Sequence, residues 1–185
     1  LSLRRQRQMC IRDSATPVRV FPGGELRSDS IYEGLKYIMR DDPEETIGIV
    51  LVHDAARCFA PAELFSTVTE RVRTIMSQNV AAGVVPALPV VDTIKMVDSS
   101  GNVLGTPDRT RLRRVQTPQG FDAKLLWTLH QEARKEGLST TDDAALLEKF
   151  QFGVATVPGD EKALKITTPT DLRLAQFIME EDAEG

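Results

Sequence analysis

The sequence lacks several features that would place it in a specialised class of protein. It has two cysteines, Cys10 and Cys58, too few and too poorly spaced for a disulfide scaffold or a zinc site. No apolar run approaches the roughly 18 residues of a membrane span. A net charge of -4 disfavours a non-specific nucleic-acid binder. We therefore expect a cytoplasmic domain of 185 residues with neither a nucleic-acid nor a membrane partner.

A further absence concerns the start of the chain. A doubly wound sheet usually opens with a strand and a glycine-rich turn that binds phosphate at a helix N-terminus. Nothing before Val18 supplies that motif, so we expect the first strand and the phosphate loop to be missing. Residues 1–14 are basic, and a disordered tail and a targeting peptide are both open interpretations. We favour a non-native segment and take residues 15–181 as a partial domain.

The rest of the chain alternates between strand and helix patterns, which predicts an α/β fold with a mostly parallel sheet. The predicted strands are Val18–Phe21, Ile49–Val52, Ala81–Ala87 and Gly153–Val157. The predicted helices begin at a Ser28 cap, at Pro61, at Asp122, at Thr141 and at a Thr168 cap. Alternating residues around Ser99-Ser100-Gly101 predict a β-hairpin, which should project as an arm over about residues 92–116.

An acid ends the buried strand in "GIVLVHDAAR". Asp54 stands where open α/β sheets place ligands, and a carboxylate there can hold a divalent metal that bridges phosphate oxygens. An Asp that caps the following loop is an equal alternative. Arg57 could bind a phosphate with its fork of donors, although a surface ion pair explains it as well. His53 we interpret as structural.

Other candidate ligand-binding residues lie in predicted loops and on the hairpin. Gly23-Gly24 would let backbone amides approach a ligand, or would simply form a tight turn. Thr93 shares a face of the hairpin strand with Lys95. Arg109 follows the hairpin, and Lys165 in "ALKIT" binds an anion or extends along the surface as an ordinary lysine.

The ordered set of motifs is more specific than any one of them. "VHDAAR", "PVVDTIK", "QTPQGF", "TDDA" and "LKITTPTDL" together resemble the 2-C-methyl-D-erythritol 4-phosphate cytidylyltransferase family over Val18 to Phe177. The resemblance implies a Rossmann-like nucleotidyltransferase fold and transfer of CMP from CTP to a sugar-alcohol phosphate. It also implies a magnesium ion and a homodimer whose arms embrace.

The same resemblance implies roles for individual residues. Asp54, Arg109 and Lys165 would be catalytic, with Asp54 at the metal and Arg109 serving the partner's site. Nucleotide binding would involve Gly23, Gly24, Glu25, Ser30, Asp54, Ala55 and Arg57, with Ala55 and Ala56 as small wall residues. Substrate binding would involve Thr93, Arg109, Thr117, Thr141 and Lys165.

Two departures and three rival functions accompany this interpretation. First, the family's glycine-rich loop and its cations have no counterpart in the sequence, so we expect little activity from the chain. Second, Cys58 stands where the family commonly has proline. The first rival is a ribitol-5-phosphate cytidylyltransferase, and the second is a glycosyltransferase, which should carry an Asp-x-Asp motif. The third is a non-catalytic nucleotide-binding remnant.

Overall fold

A five-stranded mixed sheet forms the centre of the computed structural model, which describes residues 18–44, 46–138 and 140–184. The strands are β1 (Ile49–Val52), β2 (Gly83–Pro89), β3 (Met96–Val97), β4 (Val103–Gly105), β5 (Arg113–Val115), β6 (Gln119–Asp122) and β7 (Val154–Pro158). The helices are α1 (Arg27–Asp41), α2 (Ala62–Gln78), α3 (Ala123–Lys135), α4 (Asp143–Lys149) and α5 (Pro169–Glu184). Two short 3-10 turns occupy Arg109–Arg111 and Glu161–Ala163.

Strands β1, β2 and β7 run in the same direction, as expected for a parallel sheet. Strand β7 pairs with β2 in parallel, while β6 lies between β1 and β2 and is antiparallel to both. Strand β5 pairs antiparallel with the C-terminal half of β2. The reversal follows from the arm, because a hairpin between β2 and β5 returns the chain beside the strand that it left. The sheet is therefore mixed, less parallel than the strand and helix alternation suggested.

Helices cover both faces of the sheet, so the molecule has three layers. Helix α2 buries Leu64, Val68, Val72 and Ile75, which recur at helical spacing on one face, and packs with Val84 and Val157. On the other face α3 and α4 pack around Phe121, and α1 contacts α3 and adds Leu35 to the same core. Gly120 allows α2 to approach, since a Cβ there would lie 2.6 Å from a methyl group of Val68. Among the described helices, none is both long and apolar enough to cross a membrane.

The predicted hairpin is present as β3 and β4. Asp98 accepts hydrogen bonds at 2.9 Å from the backbone N–H groups of Ser100 and Asn102, and Gly101 takes a φ of +85° that favours glycine. The part outside the main sheet begins after Pro89 and ends before Arg113. The expected boundary of about 92–116 therefore included β5, which belongs to the sheet.

Two predictions near the start of the described chain are wrong. Val18–Phe21 is not a strand; it lies against α1, where Phe21 stacks on Tyr37 at 5.7 Å between ring centroids. Ser28 is not the cap of α1, because the helix begins at Arg27 and Asp29 accepts a hydrogen bond from the Leu26 N–H. Residues 1–14 lie outside the described residues.

Helix termini elsewhere follow the predicted chemistry to within one or two residues. Asp142 caps α4 by accepting a hydrogen bond from the Ala145 N–H at 2.8 Å. At the start of α5 the Asp171 N–H donates to the Thr168 hydroxyl, and the Thr168 N–H donates to the Asp171 carboxylate. That reciprocal pair is a capping box, and it lies at the Thr168 cap that the sequence predicts.

Candidate active site

Asp54 lies two residues after the C-terminal end of β1, where its carboxylate contacts a lysine. Lys165 Nζ lies 2.9 Å from Asp54 Oδ2, and Arg57 Nε lies 3.9 Å from the same oxygen. The Asp54 side chain is 22% exposed and that of Lys165 is 48% exposed, so both remain within reach of a ligand. The structure thus brings together two residues that are 111 positions apart and that were both predicted site residues.

Thr117 and His53 fix the backbone beside Asp54. The Thr117 hydroxyl oxygen accepts the Asp54 N–H at 3.0 Å, and it lies 3.0 Å from His53 Nδ1. His53 Nε2 lies 3.3 Å from the Arg57 carbonyl oxygen, which can only accept. We therefore assign the proton to Nε2, so that Nδ1 accepts from Thr117. Burial lowers the pKa of His53, which agrees with a neutral structural ring.

Arg57 points inward and does not extend into solvent. Its guanidinium donates to the Ala163 carbonyl at 2.8 Å and to the Val115 carbonyl at 3.4 Å, and its side chain is 12% exposed. These bonds tie the loop before Lys165 to the Asp54 loop and to β5. The contact of Arg57 with a phosphate stays a prediction. In the structure its guanidinium group instead donates to backbone carbonyls within the protein.

The glycine segment makes its contacts with α1. The Gly24 N–H donates to the Ser30 hydroxyl at 3.1 Å, and a side chain at Gly24 would collide with Asp29. This is the tight-turn interpretation of the paired glycines. Glu25 is exposed, and the predicted role of the segment in nucleotide binding remains a prediction.

The remaining substrate-binding candidates are dispersed. Thr93 is exposed at the base of the arm, and Arg109 donates to the Val91 carbonyl at 2.6 Å. Thr141 is exposed just before α4, while Ala55 lies in the turn after Asp54. Within one chain the structure therefore joins Asp54, Thr117 and Lys165, and places Thr93 and Arg109 on the arm.

Two buried polar groups were missed from the sequence. Gln116 precedes Thr117 in "QTPQGF", and its side chain bonds the loop before Lys165. Asp143, the second acid of the "TDDA" motif, lies 2.9 Å from His130 Nε2 and 2.8 Å from a guanidinium nitrogen of Arg27. Asp143 and its two partners come from three different helices, and no local pattern predicts such a cluster.

A magnesium ion fits this site only as one shared with substrate. Within the parts of the chain that the structure describes, no three His, Cys, Asp or Glu side chains converge on a metal position. Asp54 offers one carboxylate. Mg²⁺ commonly binds through one or two carboxylates together with substrate phosphates, so this donor fits an ion completed by a bound nucleotide.

The layered mixed sheet and its similarity to solved nucleotidyltransferase structures place the chain in that class of α/β enzymes. The chain belongs to the 2-C-methyl-D-erythritol 4-phosphate cytidylyltransferase family, whose model matches residues 3–181. The resemblance seen in the motifs is thereby confirmed, and the ribitol alternative is not favoured.

Relatives and solved structures agree with this membership. The chain is 47% identical over 163 residues to the enzyme of that name from Microcystis aeruginosa, covering 88% of this chain and 67% of that protein. A Synechocystis protein of the same name is 43% identical, with 90% and 67% covered. The 4-diphosphocytidyl-2C-methyl-D-erythritol synthase structure from Anaerococcus prevotii superposes with a TM-score of 0.83 at 30% identity, covering 96% and 77%. A Thermus thermophilus cytidylyltransferase structure gives 0.72 at 34%, covering 90% and 77%.

Proposed function

We propose that this chain transfers CMP from CTP to 2-C-methyl-D-erythritol 4-phosphate, forming the CDP-alcohol and releasing pyrophosphate. The observation that carries the proposal is the 2.9 Å pair of Asp54 and Lys165 at the end of β1, in a chain of this family. The similar proteins come from bacteria, in which CTP is made in the cytoplasm, and we therefore place the reaction there.

The chemistry requires two anions to meet. A phosphate oxygen of the alcohol attacks the α-phosphorus of CTP, and the α–β phosphoanhydride bond breaks with its electron pair going to pyrophosphate. Lys165 offsets the repulsion between the two phosphates and orients the attacking one, while Asp54 holds the lysine toward the reaction centre. When bound, magnesium would neutralise nucleotide phosphate charge, and Asp54 is the residue that would hold it.

The nucleotide would lie along the segment after β1. Ala55 adds no bulk beside Asp54, and the Gly23-Gly24-Glu25 segment with Ser30 would bind the cytosine through backbone groups. Thr117 and Thr141 would add hydroxyl contacts to the alcohol phosphate, and Arg57 would support the loop from inside.

The arm supplies the argument for a homodimer. Val91, Val97, Val103 and Leu104 are all more than half exposed on it, an apolar surface of the kind that a second copy covers. Thr93 and Arg109 lie on the same arm, so in such a dimer they would reach the partner's alcohol phosphate. The active site would then be completed by two chains.

The experiment incubates the chain with CTP and Mg²⁺ and measures pyrophosphate release and the CDP-alcohol by mass spectrometry. We expect slow formation of the CDP-alcohol from methylerythritol phosphate, in keeping with the little activity expected from the motifs, and a further loss of about 100-fold or more for Asp54→Asn with an unchanged circular dichroism spectrum. Product from ribitol 5-phosphate alone would establish that rival. Nucleotide binding without product from either alcohol would establish the non-catalytic remnant.

A further inference from the structure

Gln116 is a buried glutamine that connects the sheet to the loop carrying Lys165. It lies between β5 and β6, is 5% exposed, and donates its own N–H to the Pro86 carbonyl at 2.8 Å. Both the oxygen and the nitrogen of its side-chain amide form hydrogen bonds with the backbone of the loop that carries Lys165. Oε1 accepts the Asp160 N–H at 3.0 Å, and Nε2 donates to the Asp160 carbonyl at 2.8 Å and to the Ala163 carbonyl at 3.2 Å.

The same loop is held at two further points on either side of Lys165. Arg57 donates to the Ala163 carbonyl at 2.8 Å, so that this oxygen accepts from two side chains. The Ile166 N–H donates to the Ala56 carbonyl at 2.8 Å, which joins the loop to the Asp54 segment. Lys165 is therefore fixed in the backbone both before and after its own position.

Gly159 leaves the space that Gln116 requires. A Cβ at this position would collide with Gln116 Oε1 and would lie 3.1 Å from Leu88 Cγ and 3.2 Å from the carbonyl carbon of Ala87. The close approach of backbone and amide thus depends on a residue without a side chain. A glutamine that only filled space in the core would need neither these hydrogen bonds nor a glycine opposite its amide. The contact is therefore specific to this side chain.

A lysine needs such support more than most residues. Its ammonium group lies at the end of a flexible four-carbon chain, so its position relative to a substrate depends on where its backbone is held. The Ala163 and Ile166 anchors set that backbone, and the Lys165 ammonium then reaches Asp54 at 2.9 Å.

We propose that Gln116 is a positioning residue that sets Lys165 against the alcohol phosphate by holding the Asp160 and Ala163 carbonyls. It touches neither reactant and acts through the loop. The inference rests on the proposed function for its kinetic consequence, while the placement of Lys165 can be measured without turnover.

The test uses Gln116→Met, which keeps the length of the side chain and removes every amide hydrogen bond. The matched control is Gln119→Met, because Gln119 is 2% exposed in the following strand but donates to Asp142 at 2.9 Å instead of to the Lys165 loop. Both variants are compared at a temperature at which circular dichroism shows them folded. If Gln116→Met does not fold, Gly159→Ala displaces the same amide and takes its place.

The first measurement is the rate at which an amine-specific reagent labels Lys165, relative to Lys149, by peptide mass spectrometry. We expect labelling of Lys165 to rise several-fold in Gln116→Met and to stay unchanged in Gln119→Met. The second measurement is kinetic, and we expect the KM for the alcohol phosphate to rise about tenfold with the KM for CTP within about twofold.

The two ideas fail in different ways. Absence of product from the unchanged chain counts against the proposed function, and the labelling result then decides the inference alone. Unchanged Lys165 labelling in a folded Gln116→Met protein overturns the inference. So does an equal rise of both KM values in an active enzyme, because a merely structural role would not separate the two substrates.

Discussion

At the scale of single residues, Arg57 gives a sharp test of a sequence-based role. We expect Arg57→Ala to lower the free energy of unfolding by about 2–3 kcal/mol in urea denaturation, because the Ala163 and Val115 carbonyls lose a charged donor. Arg114→Ala is the control, since that side chain is 54% exposed in its pair with Glu161 and should change stability by about 1 kcal/mol or less. Unchanged stability with weakened CTP binding would instead establish the phosphate contact predicted from the sequence.

The contrast between Asp54 and Arg57 shows how far residue-level prediction reaches. The position of Asp54 was predictable from local sequence. The apolar run before it predicts a buried strand, and an acid just after such a strand lies at the carboxyl end of the sheet. The direction of Arg57 was not, since its acceptors lie 106 and 58 positions away in the sequence. Lys165 was found through its motif, while its contact with Asp54 needed the folded sheet.

At the scale of elements, local patterns predicted helices better than sheet order. The four buried residues of α2 follow a 3.6-residue period that needs no distant partner. A strand needs a neighbour, and Val18–Phe21 contacts α1 without pairing in the described chain. The antiparallel course of β6 between β1 and β2 likewise depends on where the chain returns after the arm.

The arm as an element carries its own prediction. We expect Arg109→Ala to raise the KM for the alcohol phosphate about tenfold or more and that for CTP much less, because the proposed guanidinium–phosphate contact would be lost. Arg111→Ala, in the same 3-10 turn, is the control. A dimer that combines an Arg109→Ala subunit with a Lys165→Ala subunit should regain activity, since one of its sites keeps both residues. No recovery on mixing would show that the arm does not act on the partner's site.

At the scale of the whole molecule, the Asp143 cluster links three helices through one buried charge. Burial alone would raise the pKa of Asp143, but the hydrogen bond with His130 and the charge of Arg27 outweigh it and hold the pKa below its ordinary value. The unfolded chain therefore takes up this proton at a higher pH than the folded chain. The stabilisation is complete above about pH 4 and is lost as the pH falls through the folded pKa.

Asp143→Asn tests this dependence across the fold. At pH 7 we expect the free energy of unfolding to fall by about 1–3 kcal/mol, because His130 and the 36% exposed Arg27 lose a charged partner. Below about pH 4 the difference from the unchanged chain should shrink, since there the carboxyl itself takes up a proton. Asp92→Asn, at the exposed base of the arm, should change stability by less than about 0.5 kcal/mol at any pH. Urea titrations at several pH values measure all three proteins, and a pH-independent difference for Asp143→Asn would show that shape rather than charge joins the helices.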